Sequence, residues 1–331
     1  MASQWRTIDL DRGDHGVRVD RVLLRHLRDE RVSRNQIQKW IDAGDVLVNG
    51  AAAARAAWRI RAGDALVVRF TPRAPRTRPS AESIELDVLY EDGDLLAINK
   101  PAGLVVHPSY KNAGGTLING VLSLARNWPA GSKPGLLGRL DKYTSGVVLV
   151  TKSGQVHAAL QRAMDARQVD KDYVAVVWGK PSPARGSIDL ALDRDPWDRR
   201  RITVTDRGGQ PSVTRYERLG TTGAFSLVRL RLITGRTHQI RVHLAAKGWP
   251  IVGDAVYGRK APAFTRADTA ESARTFPRQA LHAWQLAMRH PTSGKPISIV
   301  APLPEDLREL SKALGLPDDI ITPRSAEHGR R

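Results

Sequence analysis

Two rhythms alternate along the chain. Near the N-terminus Val19, Val22, Leu23 and Leu27 recur at helical spacing, with Arg21, Arg25 and Arg28 on another face. Ile37, Trp40 and Ile41 repeat the pattern behind Ser33, and Gln36 three positions on completes a capping-box spacing. Gly44 is placed to end that second helix, which leaves Arg34, Gln38 and Lys39 for solvent or a partner. The rhythm then shortens. "DVLVNG" predicts a strand closing on the tight turn Asn49-Gly50, and "WRIRAGDALVVRF" predicts a further hairpin around Gly63-Asp64. Residues 1–70, with a core over 17–70, thus form one small α/β domain.

"TPRAPRTRPSAES", 71–83, has no period and is rich in Pro and Arg, as a linker is. A second, larger domain is predicted over 84–318. "IELDVLYEDGDLLAINKPAG" holds two strands around Asp92-Gly93, and Thr116 caps a helix to about Arg126. A strand over Val147 to Thr151 precedes an amphipathic helix over Gln155 to Gln168. "DYVAVVWG", "SIDLAL", "RITVT", "SVTRYERLG" and "FSLVRLRLI" follow as strands. A helix from near Thr237 to Gly248, the strands "LHAWQLAMRHP" and "PISIVAPLP", and a helix from Pro304 to Leu314 complete it. Strands outnumber helices and rarely alternate with them, which predicts an α+β class with a mixed, mainly antiparallel sheet and flanking helices. The tail 319–331 is predicted to be disordered.

Charge adds what periodicity does not. Across 331 residues Lys and Arg number 52 against 34 acids, a net charge of +18. A protein this basic is expected to meet a polyanion, nucleic acid first, and the flat bidentate fork of Arg suits phosphates and bases. The chain has no cysteine, which excludes disulfides, thiolate zinc sites and Cys nucleophiles. No run is apolar and long enough to span a bilayer, and the first residues carry acids and no secretory pattern, so a cytoplasmic protein is expected. The apolar stripes suffice for a monomer.

Three constellations carry candidate chemistry. In "GLLGRLDKYTSGVVLVTKSG" Asp141 is flanked by Arg139 and Lys142, so it is expected to stay ionised; that suits a nucleophile or general base, and it suits a structural ion pair equally. In "LITGRTHQIRVHLAAKG" Arg236, Thr237, His238, Gln239, Arg241 and His243 crowd together, with Arg241 on the helical face of His238. That face serves a site, a phosphate or only solvent. The two histidines are five apart with no HExxH pattern, so no metal site is expected. Tyr173 opens a β-rich strand, where a tyrosine is either half-buried core or a ring that stacks on a base and handles a proton.

The ordered set "INKPAGLVVHP", "GRLDKYTSGVVLVTK", "KDYVAVVWGKP", "TGRTHQIRVH" and "PIVGDAVYG" resembles the RluA/RluD-type RNA pseudouridine synthases. The front of the chain, "RVDRVLLRHL" through "IRAGDALVV", resembles the S4 RNA-binding domain. The resemblance implies the pseudouridine synthase fold, isomerisation of uridine in structured RNA, and no cofactor. It implies that Asp141 is the essential aspartate, acting as a nucleophile or in deprotonating the sugar. Tyr173 is then the active-site tyrosine and Arg241 the arginine that pairs with the aspartate. Arg139, Lys142, Arg236 and His238, with Arg21, Arg25, Arg34 and Lys39 of the S4-like part, are expected to contact RNA. Large-subunit ribosomal RNA is favoured over transfer RNA, and a non-catalytic ribosome-assembly factor is the competing reading. Gly138 stands where the family usually has His, and Tyr143 where it usually has Asp. Both departures bear on substrate identity rather than on reaction type.

Overall fold

A computed structural model of the chain describes residues 4–30, 32–70, 79–108, 112–198, 201–258 and 267–317. Linker residues 71–78 and the predicted tail 319–331 lie outside these. The chain divides into two compact units, 1–78 and 79–331.

In the first unit the strand β1 (Gln4–Ile8) precedes two helices, α1 (Val19–His26) and α2 (Arg34–Asp42), then β2 (Val46–Val48), β3 (Ala51–Ala52) and β4 (Leu66–Phe70). The periodic residues meet as expected: Val19, Val22, Leu23, Leu27, Ile37, Trp40 and Ile41 share one buried cluster with Val46, Val48, Leu66 and Val68. Ser33 caps α2 by accepting the Gln36 N–H at 3.2 Å. The turn after β2 has both Asn49 and Gly50 at positive φ, the mirror-image geometry that matches strand twist. The hairpin expected around Gly63-Asp64 does not form. β4 pairs antiparallel with β1 on one side and β2 on the other. The Trp58–Ile60 stretch instead runs beside the approach to α1, where Trp58 accepts from the Val19 N–H and Ile60 donates to Val17. β1, which periodicity did not single out, has taken the partner's place.

The second unit runs β5 (Asp87–Glu91), β6 (Leu95–Lys100), α3 (Leu117–Leu124), β7 (Gly135–Leu137), β8 (Ser145–Thr151), α4 (Gly154–Asp165) and β9 (Asp170–Trp178). It continues through β10 (Arg185–Asp189), β11 (Leu192–Arg194), β12 (Ile202–Val204), β13 (Val213–Thr222), β14 (Phe225–Leu232) and α5 (Gln239–Ala246). α6 (Ala267–Thr275), β15 (Leu281–Arg289), β16 (Pro296–Val300) and α7 (Glu305–Ala313) complete it. Among the described residues one sheet carries ten strands in the order β10-β13-β14-β9-β15-β8-β6-β5, with β16 added to β15 and β7 to β8. Only β15 and β8 run parallel in that sheet; the other pairs are antiparallel. Both faces are covered. Leu96, Ile98, Val148 and Val150 belong to one cluster and Leu95, Ala97, Val147 and Leu149 to the opposite one, so the central strands read as unbroken apolar runs.

Three local expectations are corrected. "SIDLAL" is not one strand: β10 joins the large sheet, whereas β11 pairs with β12 in a separate ribbon. α6 and β7 were not expected; β7 is only three residues long, and α6 shows weak amphipathic patterning. Residues 79–83, assigned to the linker, lie in the second unit: Ser80 accepts from the Asn119 amide at 2.7 Å and Glu82 accepts from the Gly115 N–H at 2.9 Å. No helix among the described residues is long and apolar enough to cross a membrane.

Candidate active site

Asp141 stands in the turn between β7 and β8, at the mouth of a cavity of about 490 Å³. The turn is held from below. Lys100, at the end of β6, is fully buried and donates to the carbonyls of Pro101, Leu104 and Lys142 at 2.7, 2.9 and 3.0 Å. Burial pushes its ammonium down to about 7, with the charge of Arg278 acting the same way and that of Asp141 opposing. Arg278 is pinned by Asp306 and donates to the Tyr143 carbonyl at 3.2 Å. Past the turn, Gly146 is obligatory: at φ +113° a Cβ there would sit 2.1 Å from the Ala283 carbonyl across the parallel pair. Gly138 also lies at positive φ, +83°, so a side chain at this position would strain the loop before Arg139.

The partner of Asp141 is distant in sequence. Arg241, on α5, is buried and donates from Nη1 to Asp141 Oδ2 at 2.8 Å. Its other edge grips Asp254, Nε to Oδ2 at 2.7 Å and Nη2 to Oδ1 at 2.8 Å. Burial works against this charge, but the hydrogen bonds and charges of Asp254 and then Asp141 outweigh it and raise Arg241 above the ordinary arginine value. Asp254 in turn accepts the N–H groups of Val256 and Tyr257, and these contacts with Arg241 hold its carboxyl low despite burial. Arg241 is therefore a rigid bridge between a fully buried carboxylate and the one facing the cavity.

Other residues converge on the same cavity. Tyr173, early in β9, lines it while only 9% exposed. Burial, and secondarily the charge of Asp141, raises its hydroxyl well above the usual phenol range. Arg139 and Arg236 line the cavity with exposed side chains. The Arg236 N–H is fixed by Gln239, which also accepts from Thr234 and donates to Val213 and Thr214. His238 does not lie on the helix with Arg241. It is the N-cap of α5 in the left-handed conformation, and its Nε2 is 3.8 Å from Asp141 Oδ1. His243 spends both ring nitrogens on Thr214 and the Leu190 carbonyl, so the two histidines do not converge.

Asp141 thus takes the long-range partner that the resemblance implied, Arg241, and not the flanking Arg139 and Lys142 that the local sequence offered. Among the described residues neither makes an ion pair with it, and the Lys142 ammonium lies 5.2 Å from the Tyr143 ring centre. Lys142 is exposed and does not line the cavity. Three residues that sequence reasoning did not single out complete the site. Asp254 and Tyr257 sat in the quoted "PIVGDAVYG", and Lys100 in "INKPAG", but nothing in their spacing revealed a shared partner with Asp141.

The four basic residues expected to contact RNA from the first unit divide in two. Arg21 and Lys39 are exposed. Arg25 is ion-paired with Asp11 and lies 3.5 Å from Asp14, and Arg34 pairs with buried Asp20 at 3.2 Å, beside Arg18.

Residues 94–246 match the family model for RNA pseudouridylate synthase, and residues 17–66 match that for the S4 domain. The chain is 42% identical over 301 residues to the ribosomal large subunit pseudouridine synthase D of Xanthomonas campestris pv. campestris, covering 90% of this chain and 88% of that one. The protein of the same name from Xylella fastidiosa is 41% identical over 316 residues, 95% of this chain and 94% of the relative. Among solved structures, human RNA pseudouridylate synthase domain containing 4 superposes with a TM-score of 0.57 at 28% identity, over 70% of this chain and 94% of the human one.

Proposed function

Because the chain belongs to the RNA pseudouridylate synthase family, an isomerase family acting on RNA, we propose that the cavity at Asp141 receives a uridine flipped out of an RNA stem-loop. The observation that carries this is the Asp141–Arg241 pair at 2.8 Å on the cavity wall, with Tyr173 lining the same cavity. Arg241 orients the carboxylate without competing for its role, since a guanidinium does not give up its proton. Asp141 then acts on the sugar, either attacking C1′ or taking a sugar proton. The N1–C1′ bond breaks, the uracil turns, C5 bonds to C1′, and the proton leaving C5 is balanced by one gained at N1.

Tyr173 offers its ring to the uracil. Its hydroxyl is held in the protonated form, so it serves C5 deprotonation by relaying a proton rather than by starting as phenolate. Arg139, exposed at the cavity mouth, fills the gap left in the RNA stack, and Arg236 and Lys142 meet phosphates. In the S4 domain Arg21, Lys39, Arg25 and Arg34 face the RNA backbone. Residues 1–70 and 79–318 act as the two working domains, the second taking in the Ser80 and Glu82 contacts.

Large-subunit ribosomal RNA is the substrate this reading favours, supported by relatives of that name aligned over about nine-tenths of the chain. We place the protein in the cytoplasm and take it to act as a monomer, since each unit's apolar stripes are met by its own core. The test is pseudouridine mapping on large-subunit rRNA transcripts and a tRNA pool with wild type and Asp141→Asn. Uridines converted by wild type alone support both reaction and residue. Conversion by Asp141→Asn removes Asp141 from the chemistry, and RNA binding without conversion in either pool favours an assembly role.

A further inference from the structure

The two oxygens of Asp141 meet different neighbours. Oδ2 is tied to Arg241, whereas Oδ1 faces the Nε2 of His238 at 3.8 Å. What Oδ1 meets there depends on the imidazole tautomer: an N–H attracts a carboxylate and a lone pair repels it. The tautomer is set on the far side of the ring. His238 Nδ1 lies 2.8 Å from the Tyr257 hydroxyl, and that oxygen accepts the backbone N–H of Ile202, in β12, at 2.8 Å. The hydroxyl has one proton to give, and Nδ1 is the acceptor in reach. An Nδ1–H would leave that proton unused and turn the Nε2 lone pair toward the carboxylate.

His238 also adopts a costly backbone. It sits at φ +54° and ψ +15°, left-handed for a residue with a Cβ, and as N-cap its side chain makes no capping bond. The strain brings α5 no cap. It does bring the ring edge-on to Tyr257 at 5.6 Å and its Nε2 to Asp141.

We propose that His238 is a positioning residue for Asp141, locked by Tyr257 as the neutral Nε2–H tautomer so that a neutral donor faces Oδ1 while Arg241 holds Oδ2. This rests on the reading of Asp141 as the reacting carboxylate. The 3.8 Å separation is too long for a hydrogen bond in the free protein and closes when the sugar settles against Asp141. A neutral N–H orients the carboxylate without handing it a proton, as an imidazolium would. Burial, first, and the charges of Arg241 and Arg139 keep the ring neutral; Asp141 and Asp254 pull the other way, and the net direction is downward. The Tyr257 hydrogen bond blocks the one lone pair that protonation needs.

The test uses full-length protein labelled with 15N-histidine, with the His238 signal assigned by its loss in His238→Gln. In wild type the expected signal is Nε2–H at pH 7, with protonation only below the ordinary histidine range. In Tyr257→Phe it becomes a mixture of the two neutral tautomers, and the ring, still buried, takes up a proton at a higher pH than in wild type because Nδ1 is no longer blocked. Turnover of the same variant falls roughly tenfold at an acidic pH where wild type is still fully active and recovers as pH rises, with KM for RNA unmoved. His238→Gln carries an amide N–H where Nε2–H stood and retains turnover within about threefold, whereas His238→Phe loses about a hundredfold. An Nδ1–H tautomer or an imidazolium in wild type at pH 7 overturns the proposal, as does a Tyr257→Phe protein with unchanged tautomer and pH profile. The expected tautomers, found in a protein whose Asp141→Asn variant still converts uridine, would instead sink the reading of Asp141.

Discussion

The S4 unit and the synthase unit both pair arginine with carboxylate, and they do so in opposite surroundings. In the first, Arg25 and Arg34 are exposed, at 48% and 63%, and they lean on Asp11, Asp14 and Asp20. In the second, Arg241 is 7% exposed and holds Asp254 and Asp141 together. The Arg25–Asp11 pair is exposed on both sides, contributes little and is screened by salt, so Arg25 readily trades Asp11 for a phosphate; buried Asp20 keeps Arg18 as a partner if Arg34 turns away. A buried bridge cannot trade: removing one member strands a charge in low dielectric. The same residue type is therefore exchangeable in one unit, as the proposed RNA contacts require, and preorganises a carboxylate in the other.

The strongest way to break this comparison is to remove the buried guanidinium. Arg241→Met is expected to leave Asp254 without its countercharge, cost about 3–5 kcal/mol by denaturant unfolding and, where folded, reduce turnover by about a thousandfold. A loss below about 1 kcal/mol would mean that Arg241 behaves like a surface pair.

Acid probes burial in the synthase unit by a second route. His282, in β15, is fully buried; its Nε2–H points to the Ala301 carbonyl at 3.3 Å and Nδ1 accepts from the Ser145 hydroxyl at 2.9 Å. Burial pushes it down to about 4. Because the unfolded chain takes up this proton first, the stabilisation is complete above about pH 6.5 and is lost as pH falls toward 4, at most about 3 kcal/mol. Unfolding curves against pH for wild type and His282→Asn should differ in slope within that window and run parallel above it.

A smaller effect is expected from deleting residues 1–78, a cut placed before the Ser80 and Glu82 contacts so that the synthase unit keeps its fold. RNA affinity should fall by roughly ten- to a hundredfold, and the slope of log K against log salt should flatten by about one per lost phosphate contact. Equal affinity and equal slope would remove the S4 unit from RNA binding. The finest distinction lies within that unit. Arg21→Ala should flatten the salt slope by nearly one, while Arg25→Ala should do so by less, because its phosphate contact must first displace Asp11. Asp11→Ala should strengthen RNA binding a few-fold for the same reason.

Much of this molecule was legible from the order of its residues. Periodicity located both helices of the first unit, and unbroken apolar runs such as Val147 to Thr151 located the central strands, because burial on one face or two leaves its own spacing. The motif around Asp141, the tyrosine at 173 and the arginine at 241 were also readable, as residue types in a recurring order. Partners were not. The hairpin expected at Gly63-Asp64 failed because β4 pairs with β1, which lies some sixty positions earlier, and no local preference reports that choice.

The site divides along the same line. Residue order alone locates most of the helices and the central strands, shows that the protein is basic, and marks the carboxylate in the recurring motif, since all three are local or summed properties of side chains. The family resemblance implied that Arg241 pairs with Asp141; the tertiary structure supplies the bond itself, Nη1 to Oδ2 at 2.8 Å across a hundred residues, and leaves the neighbours Arg139 and Lys142 out of it. It also decided that Asp254 shares that arginine, and that Tyr257, held by the β12 backbone, comes within 2.8 Å of His238 Nδ1. Hydrogen-bond direction and buried charge depend on which atoms lie within about 3 Å of one another. Chain folding, not spacing along the chain, sets those distances.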